Sequence, residues 1–212
     1  SSEVDEMLNH SIGPASFERD VRWQRQVENH FRINLERMRL IAVESGATLV
    51  AVTPVSNLRD CAPFKGDFAE DLDTNIREQL IGDLASARQE YEQSNFEIAL
   101  GLLDSILSQD RDNADVYFLH GRVLVELGLF EEAEKSFSRA VDLDICALRA
   151  TTTIQNTIRE SFDLPGVIVL EYDRRLSERV RSELGHACFV FESFLEHVNP
   201  TVEVHGDIPQ SI

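Results

Sequence analysis

The pattern of apolar positions near the start of the chain predicts a long amphipathic helix. After Pro14, apolar residues recur at mostly three- and four-residue steps until Gly46, which is a natural C-terminal stop for a helix. The apolar stripe consists of Phe17, Val21, Val27, Phe31, Leu35, Met38 and Ala42. This spacing places the stripe on one face of the predicted helix.

Two short runs of β-branched residues predict strands. The first run is TLVAVTP, residues 48–54, and the second is GVIVLEYD, residues 166–173. Runs that are apolar at consecutive positions are typical of parallel strands buried on both faces. Because helical sequence adjoins each run, we expect both strands to lie in one parallel sheet with helices on its faces.

The region between the two strands has a helical pattern from about Asp71 to Phe162, and its centre resembles a tetratricopeptide repeat (TPR). The central segment is ADVYFLHGRVLVELGLFEEAEKSFSRAVDLD, residues 114–144. The TPR-like positions are Tyr117, Gly121, Gly128, Phe130, Ala133, Phe137 and Ala140. Small residues are needed at Gly121 and Ala133 if two antiparallel helices cross closely there, and Gly128 would end the first helix.

A second, weaker match lies one repeat earlier, at residues 80–113, directly before the match at residues 114–147. Ala87 takes the place of the helix-crossing glycine, while Phe96 and Ala99 match Phe130 and Ala133. The proline that usually closes a repeat is absent, since Arg111 and Ile145 occupy those places. A further helix at about residues 148–162 is expected to cap the stack. Since two repeats rarely bury enough surface alone to be stable, we expect them to pack against the flanking segments. An ordinary amphipathic helical hairpin remains the alternative.

Composition and charge restrict the partners of the chain. With 38 acidic and 20 basic residues, the formal net charge is −18. This charge disfavours binding to nucleic acid or to an anionic membrane surface. The three cysteines, Cys61, Cys146 and Cys188, form no C-x-x-C pair, so we expect buried free thiols and slightly favour the cytoplasm.

The beginning of the chain leaves its targeting open. No apolar run is long enough to span a membrane, and no signal peptide opens the sequence. The first residue is Ser1 rather than methionine. We therefore expect a longer natural protein, and an N-terminal signal or anchor in that protein is left open.

The segment NHFRINLERMRLIAVESGATLVAVTPVSNLRDCAPF, residues 29–64, resembles the later part of an SGNH (GDSL-like) hydrolase domain. The run VIVLEYD and the closing segment around residues 191–206 are similar to the end of that domain. The resemblance implies a mostly α chain with a small parallel α/β part. TPR hairpins would be inserted in the later half of a flavodoxin-like, three-layer fold. The expected divisions are residues 1–70, 71–162 and 163–212.

The same resemblance implies a serine esterase site, which this sequence does not complete. The family carries its nucleophile in a G-D-S block and its acid and base in a D-x-x-H motif, and no G-D-S or G-x-N block is present. Alignment on Pro200 places Glu196 at the Asp position and Asn199 at the His position. Asn cannot accept and return a proton near neutral pH, so His197 and His205 are the possible substitutes.

Other chemistry is not indicated by the sequence. The C-terminal cluster of Glu196, His197, Glu203 and His205 matches no known metal-ligand spacing, so we predict neither a metal nor a cofactor. Gly-rich phosphate loops are absent. His120 falls at an inward-leaning repeat position, where a hydrogen-bonded packing histidine is expected rather than a ligand.

Three functional hypotheses follow. The first is an interaction module whose repeat groove binds a protein or peptide. The groove positions are Leu84, Arg88, Tyr91, Asp115, Phe118, Arg122, Val125 and Glu126. They lack the Lys and Asn cluster that suits a terminal carboxylate. The second hypothesis is an esterase or acyl-transfer domain for acylated carbohydrate or lipid, completed by residues before Ser1, and the third is a pseudo-hydrolase scaffold. Nothing in the sequence specifies an oligomeric state.

Overall fold

The computed structural model describes residues 17–161 and 164–184, and this part of the chain contains seven helices and two short strands. In chain order the elements are α1 (Val21–Glu44), β1 (Leu49–Val52), α2 (Thr74–Glu92), α3 (Phe96–Gln109), α4 (Ala114–Glu126), α5 (Phe130–Leu143), α6 (Thr152–Glu160), β2 (Val167–Leu170) and α7 (Tyr172–Leu184). The predicted mostly helical chain with a small parallel sheet is confirmed at this level.

Strands β1 and β2 pair in parallel, as the two β-branched runs predict. Leu49 lies opposite Val167, and the register continues to the pair of Val52 and Leu170. Helices α2 to α6 all lie between these strands in sequence. The expected burial on both faces is wrong for the described residues: Ala51 is buried, but Val52 on the other face is 48% exposed.

Helix α1 begins four residues after Phe17, because Asp20 caps it. The Asp20 carboxylate accepts a hydrogen bond from the backbone N–H of Trp23 at 2.8 Å. The helix ends at Glu44, close to the predicted stop at Gly46, which has a φ of +73°. The predicted helix is therefore present, although Leu35 is its only buried residue. It packs on α6 and β1.

Two helical hairpins, α2–α3 and α4–α5, repeat the same backbone path. Helices α3 and α5 each contain 14 residues, and they begin at the equivalent positions Phe96 and Phe130. Ser94 and Gly128 hold equivalent places in the two turns, and both have positive φ, at +62° and +75°. A left-handed residue satisfies the last carbonyls of a helix and redirects the chain.

The core of the hairpins is densely packed. Its members with essentially no exposed surface are Leu80, Ala87, Ala99, Leu103, Ile106, Val116, Val123, Ala133 and Phe137. A Cβ atom on Gly121 would lie 2.7 Å from the Phe137 ring, so α4 and α5 can approach only because this residue is glycine. The close crossing predicted at Gly121 is therefore confirmed.

An extended segment joins β1 to α2 and is hydrogen-bonded to the ends of the hairpins opposite their turns, where α3 and α5 finish; we call residues 57–69 the strap. Two aspartates at equivalent repeat positions hold it. The buried Asp144 carboxylate accepts hydrogen bonds from the backbone N–H groups of Phe64 at 2.9 Å and Lys65 at 3.1 Å. The buried Asp110 carboxylate accepts one from Ala69 at 2.7 Å. Buried carboxylates thus supply the acceptors that the extended backbone needs.

Helix α6 is shorter than predicted. It starts at Thr152 rather than Leu148, which is 72% exposed. The preceding residues are tied to the strap, since Arg149 donates to the carbonyl of Cys61 at 2.6 Å. Among the described elements α6 packs mainly on α1, and the backbone N–H of its first residue, Thr152, donates to the carboxylate of Asp142 on α5 at 2.7 Å. Its role as a cap of the repeat stack stays a prediction.

The cysteine prediction is partly corrected. Cys61 and Cys146 are free thiols, as expected, but both are half-buried rather than buried. Cys188 lies outside the described residues.

Candidate functional site

The exposed face shared by α2 and α4 carries most of the predicted groove residues. Two contacts join the helices across this face. The guanidinium of Arg88 on α2 lies 3.7 Å from a carboxylate oxygen of Asp115 on α4. The guanidinium of Arg122 on α4 lies over the ring of Tyr91 on α2, 4.8 Å from its centroid. These four side chains therefore form one continuous surface.

The predicted groove residues differ in how far they are buried. Leu84 is 7% exposed and belongs to the same buried cluster as Phe68 of the strap, so its side chain packs internally instead of lining the groove. Phe118 is half-buried, with its ring 5.6 Å from the Phe137 ring. Val125 is also half-buried, and Glu126 is exposed.

Sequence reasoning missed Ile81 as a groove residue. Ile81 occupies the repeat position equivalent to Asp115, and it is 53% exposed. It lies two helical turns before Arg88, on the same side of α2. The signal was available, because a step of one repeat back from Asp115 leads to Ile81. The exposed face thus also carries an apolar side chain in the first half of α2.

The electrostatics of the groove centre on Asp115. Burial raises the pKa of its carboxyl group, and the nearby acids Asp144 and Asp67 act in the same direction. Arg88 opposes them by stabilising the charged form. The strap contributes to this environment, because Gly66 is packed so closely that a Cβ atom would lie 2.6 Å from the backbone nitrogen of Asp115.

His120 bridges three helices behind the groove. Its Nε2 lies 3.2 Å from a carboxylate oxygen of Asp104 on α3, and its Nδ1 lies 2.9 Å from the hydroxyl of Ser136 on α5. In the neutral tautomer with the proton on Nε2, the ring donates to Asp104, and Nδ1 faces the Ser136 hydroxyl, whose one proton also lies within reach of the Glu132 carbonyl at 3.1 Å. The predicted hydrogen-bonded packing role of His120 is confirmed.

A second polar cluster lies at the carboxyl ends of the two strands. Thr53 is fully buried, and its hydroxyl donates to the Asp173 carboxylate, which also accepts a hydrogen bond from Arg159. A cleft beside them is lined by Pro54, Val55, Ser56, Leu58, Glu134, Ser138, Val141, Ala150, Thr152, Gln155, Asp173 and Ser177. Carboxyl ends of parallel strands are common ligand sites, but both oxygens of Asp173 are already engaged here.

The residues of the predicted acid-base motif, Glu196, His197, Asn199 and His205, lie outside the described residues, and so does Glu203. Within residues 17–161 and 164–184, no group of three or more His, Cys, Asp or Glu side chains is arranged to hold a metal ion. None of the helices described is both long enough and apolar enough to cross a membrane.

Comparison of the chain with protein families, curated proteins and solved structures found no match in any of the three. The features of the described residues that bear on function are therefore the exposed face of α2 and α4 and the cleft at the carboxyl ends of the strands.

Proposed function

We propose that the chain is a protein-interaction module that binds a peptide in the groove between α2 and α4. The observation that carries this proposal is the pair of contacts across the groove, Arg88 with Asp115 and Arg122 with Tyr91. Aromatic and arginine side chains that remain partly exposed on a rigid helical face are typical of binding surfaces. A packed core beneath them fixes their positions before a ligand arrives.

The proposal includes the finer fold. The α2–α5 hairpins are TPR hairpins inserted in the later half of a flavodoxin-like, SGNH-type three-layer fold. The equivalent bounds of α3 and α5 and the equivalent positive-φ turns support a 34-residue repeat. The parallel strands on either side of the helical region support the insertion.

A selection experiment tests peptide binding. A display library of random peptides of about ten residues, long enough to cross the two helices when extended, is panned against the immobilised chain. Recovered peptides are then synthesised with a fluorophore and titrated by fluorescence anisotropy. We expect Arg122→Ala to weaken their binding about tenfold, because it removes a charged donor from the groove.

Arg139→Ala is the matched control. Arg139 lies 6.0 Å from the ring centroid of Tyr117, which is the same kind of contact between α5 and α4 on another face. The control should bind the selected peptides as the unmodified chain does. Failure to recover any peptide, or equal binding by the Arg122→Ala chain, would contradict the proposal.

A second candidate is an esterase or acyl-transfer activity on acylated carbohydrate or lipid. The cleft at the carboxyl ends of β1 and β2 favours it, because α/β enzymes place their ligands at such edges. This activity requires a G-D-S block before Ser1 in the natural protein. The test is hydrolysis of p-nitrophenyl acetate by a longer form of the protein that contains the G-D-S block. If that form shows no turnover, the pseudo-hydrolase scaffold is the remaining hypothesis.

A further inference from the structure

Two arginines occupy equivalent positions in the two hairpins. Arg88 on α2 and Arg122 on α4 are one repeat apart in sequence, and both side chains are exposed on the groove face. The chain contains only 20 basic residues against 38 acidic ones. This face, where Arg88 and Arg122 stand against Asp115 and Glu126, is therefore less acidic than the chain as a whole.

The contacts of both arginines leave donors available. Arg88 is 54% exposed, and its contact with Asp115 is a loose one at 3.7 Å. Within the described residues, Arg122 forms no ion pair, and its guanidinium lies over the Tyr91 ring. Such stacking leaves the edge of the guanidinium and its N–H groups free to bind a carboxylate through two parallel hydrogen bonds.

The distance between the two arginines suits an extended chain. Directly packed helices lie about 8–10 Å apart, and α2 and α4 touch through side-chain contacts, so equivalent side chains are separated by about that distance or somewhat more. Alternate side chains of a strand lie about 7 Å apart on one face, and every third side chain of a polyproline II segment lies about 9 Å apart. The flexible arms of arginine can accommodate this range.

We propose that the groove binds an extended acidic peptide whose two carboxylates, at positions i and i+2 or i and i+3, contact Arg88 and Arg122. The partly exposed apolar residue Ile81 lies two turns before Arg88 and the half-buried Val125 lies one turn after Arg122, so each can contact a different apolar side chain of the peptide. This inference rests on the groove proposed above. It adds the charge and the spacing of the partner.

The test uses the peptides recovered from the random library and a defined probe. We expect the recovered sequences to be enriched in paired Asp or Glu at the stated spacings. Replacement of both acids by their amides should weaken anisotropy-measured binding to the chain about tenfold or more, and added salt should weaken the acidic form more than the amide form. The defined probe is oligoglutamate of about ten residues, compared with oligoglutamine and oligolysine of equal length.

Variants separate this inference from the groove itself. In Arg88→Gln and Arg122→Gln chains, the preference for acid over amide should fall, and in the double variant it should disappear; Arg139→Gln should retain it. Peptides that need Arg122 but bind equally well as acids and amides would overturn the inference and leave the groove standing. Selection of no peptide and no binding of oligoglutamate would overturn both. If a labelled oligothymidine binds more tightly than any acidic peptide, the arginines recognise phosphate groups instead of carboxylates, and the inference is overturned as well.

Discussion

The hairpin region α2–α5 and the α1–sheet region differ sharply in how they use apolar residues. The hairpins bury theirs in two packed clusters that both contact Leu100, whereas most large apolar residues of α1 and the outer face of the sheet remain exposed among the described residues. Trp23, Met38 and Ile41 are examples on α1, and Val50 and Val52 are examples on β1. The same amphipathic pattern in sequence thus leads to two different outcomes.

The difference shows what local sequence can specify. In the hairpins, each helix meets its neighbour after a short turn, so apolar residues close in sequence can bury one another. The partners of α1 and β1 are α6 and β2, which are more than a hundred residues away. The strap connects the two regions through its two aspartates. Substitutions in each region can therefore show how much that region contributes to the free energy of unfolding.

The largest effect is expected from the hairpin core. Phe137→Ala should lower the free energy of unfolding by about 4 kcal/mol, because it removes a fully buried ring and leaves a cavity. Ile41→Ala, at a 66% exposed position on α1, should change it by less than about 0.5 kcal/mol. Urea denaturation followed by circular dichroism measures both. A similar cost for Ile41→Ala would break the comparison, since it would mean that the α1 stripe is covered.

The link between the regions should give the next largest effect. Asp144→Ala removes the acceptor for the backbone N–H groups of Phe64, Lys65 and Cys146, so we expect a loss of about 3 kcal/mol. Trypsin cleavage after Lys65 should become faster in this variant. Asp144→Asn keeps one acceptor oxygen and should recover part of the loss. Unchanged cleavage in the Ala variant would show that Asp144 does not hold the strap.

Substitution of two different glycines by alanine is expected to change the free energy of unfolding in opposite directions. Gly121→Ala should destabilise the chain by about 2 kcal/mol, because the new methyl group meets the Phe137 ring. Gly101→Ala should stabilise it by about 1 kcal/mol, because this helical site on α3 has no neighbour within 4 Å and alanine favours the helix. Equal effects of the two substitutions in denaturation experiments would contradict the close crossing of α4 and α5.

The sequence predicts most of the hairpin region because its signals are local. The positions of Gly121 and Gly128 follow from the repeat pattern, and the two strands follow from short β-branched runs. Contacts between distant segments could not be predicted in this way. Leu84 is buried in a cluster that includes Phe68 of the strap, and the residues before α6 are tied to the strap by the hydrogen bond from Arg149 to Cys61. The equivalence of Asp110 and Asp144 was visible in the sequence, but their backbone partners were not.

The smallest effect concerns His120, the bridge between three hairpin helices. Burial lowers its pKa from the usual 6.5, although Asp104 partly opposes this shift. The unfolded chain therefore binds a proton at this site at a higher pH than the folded chain does. The neutral ring therefore stabilises the folded chain fully above about pH 6.5. This stabilisation is lost as the pH falls through the lowered pKa of the folded state.

His120→Gln should remove this part of the pH dependence, because glutamine does not titrate but can keep hydrogen bonds to Asp104 and Ser136. Urea denaturation of both chains between about pH 5 and 7.5 measures the effect around the unperturbed pKa. We expect the difference in stability between the unmodified chain and the variant to shrink as pH falls. His30→Gln, on the exposed surface of α1, controls for the loss of a histidine. A difference that grows at low pH would mean that protonated His120 is bound more tightly by Asp104 than burial disfavours it, and the bridge would then be an ion pair.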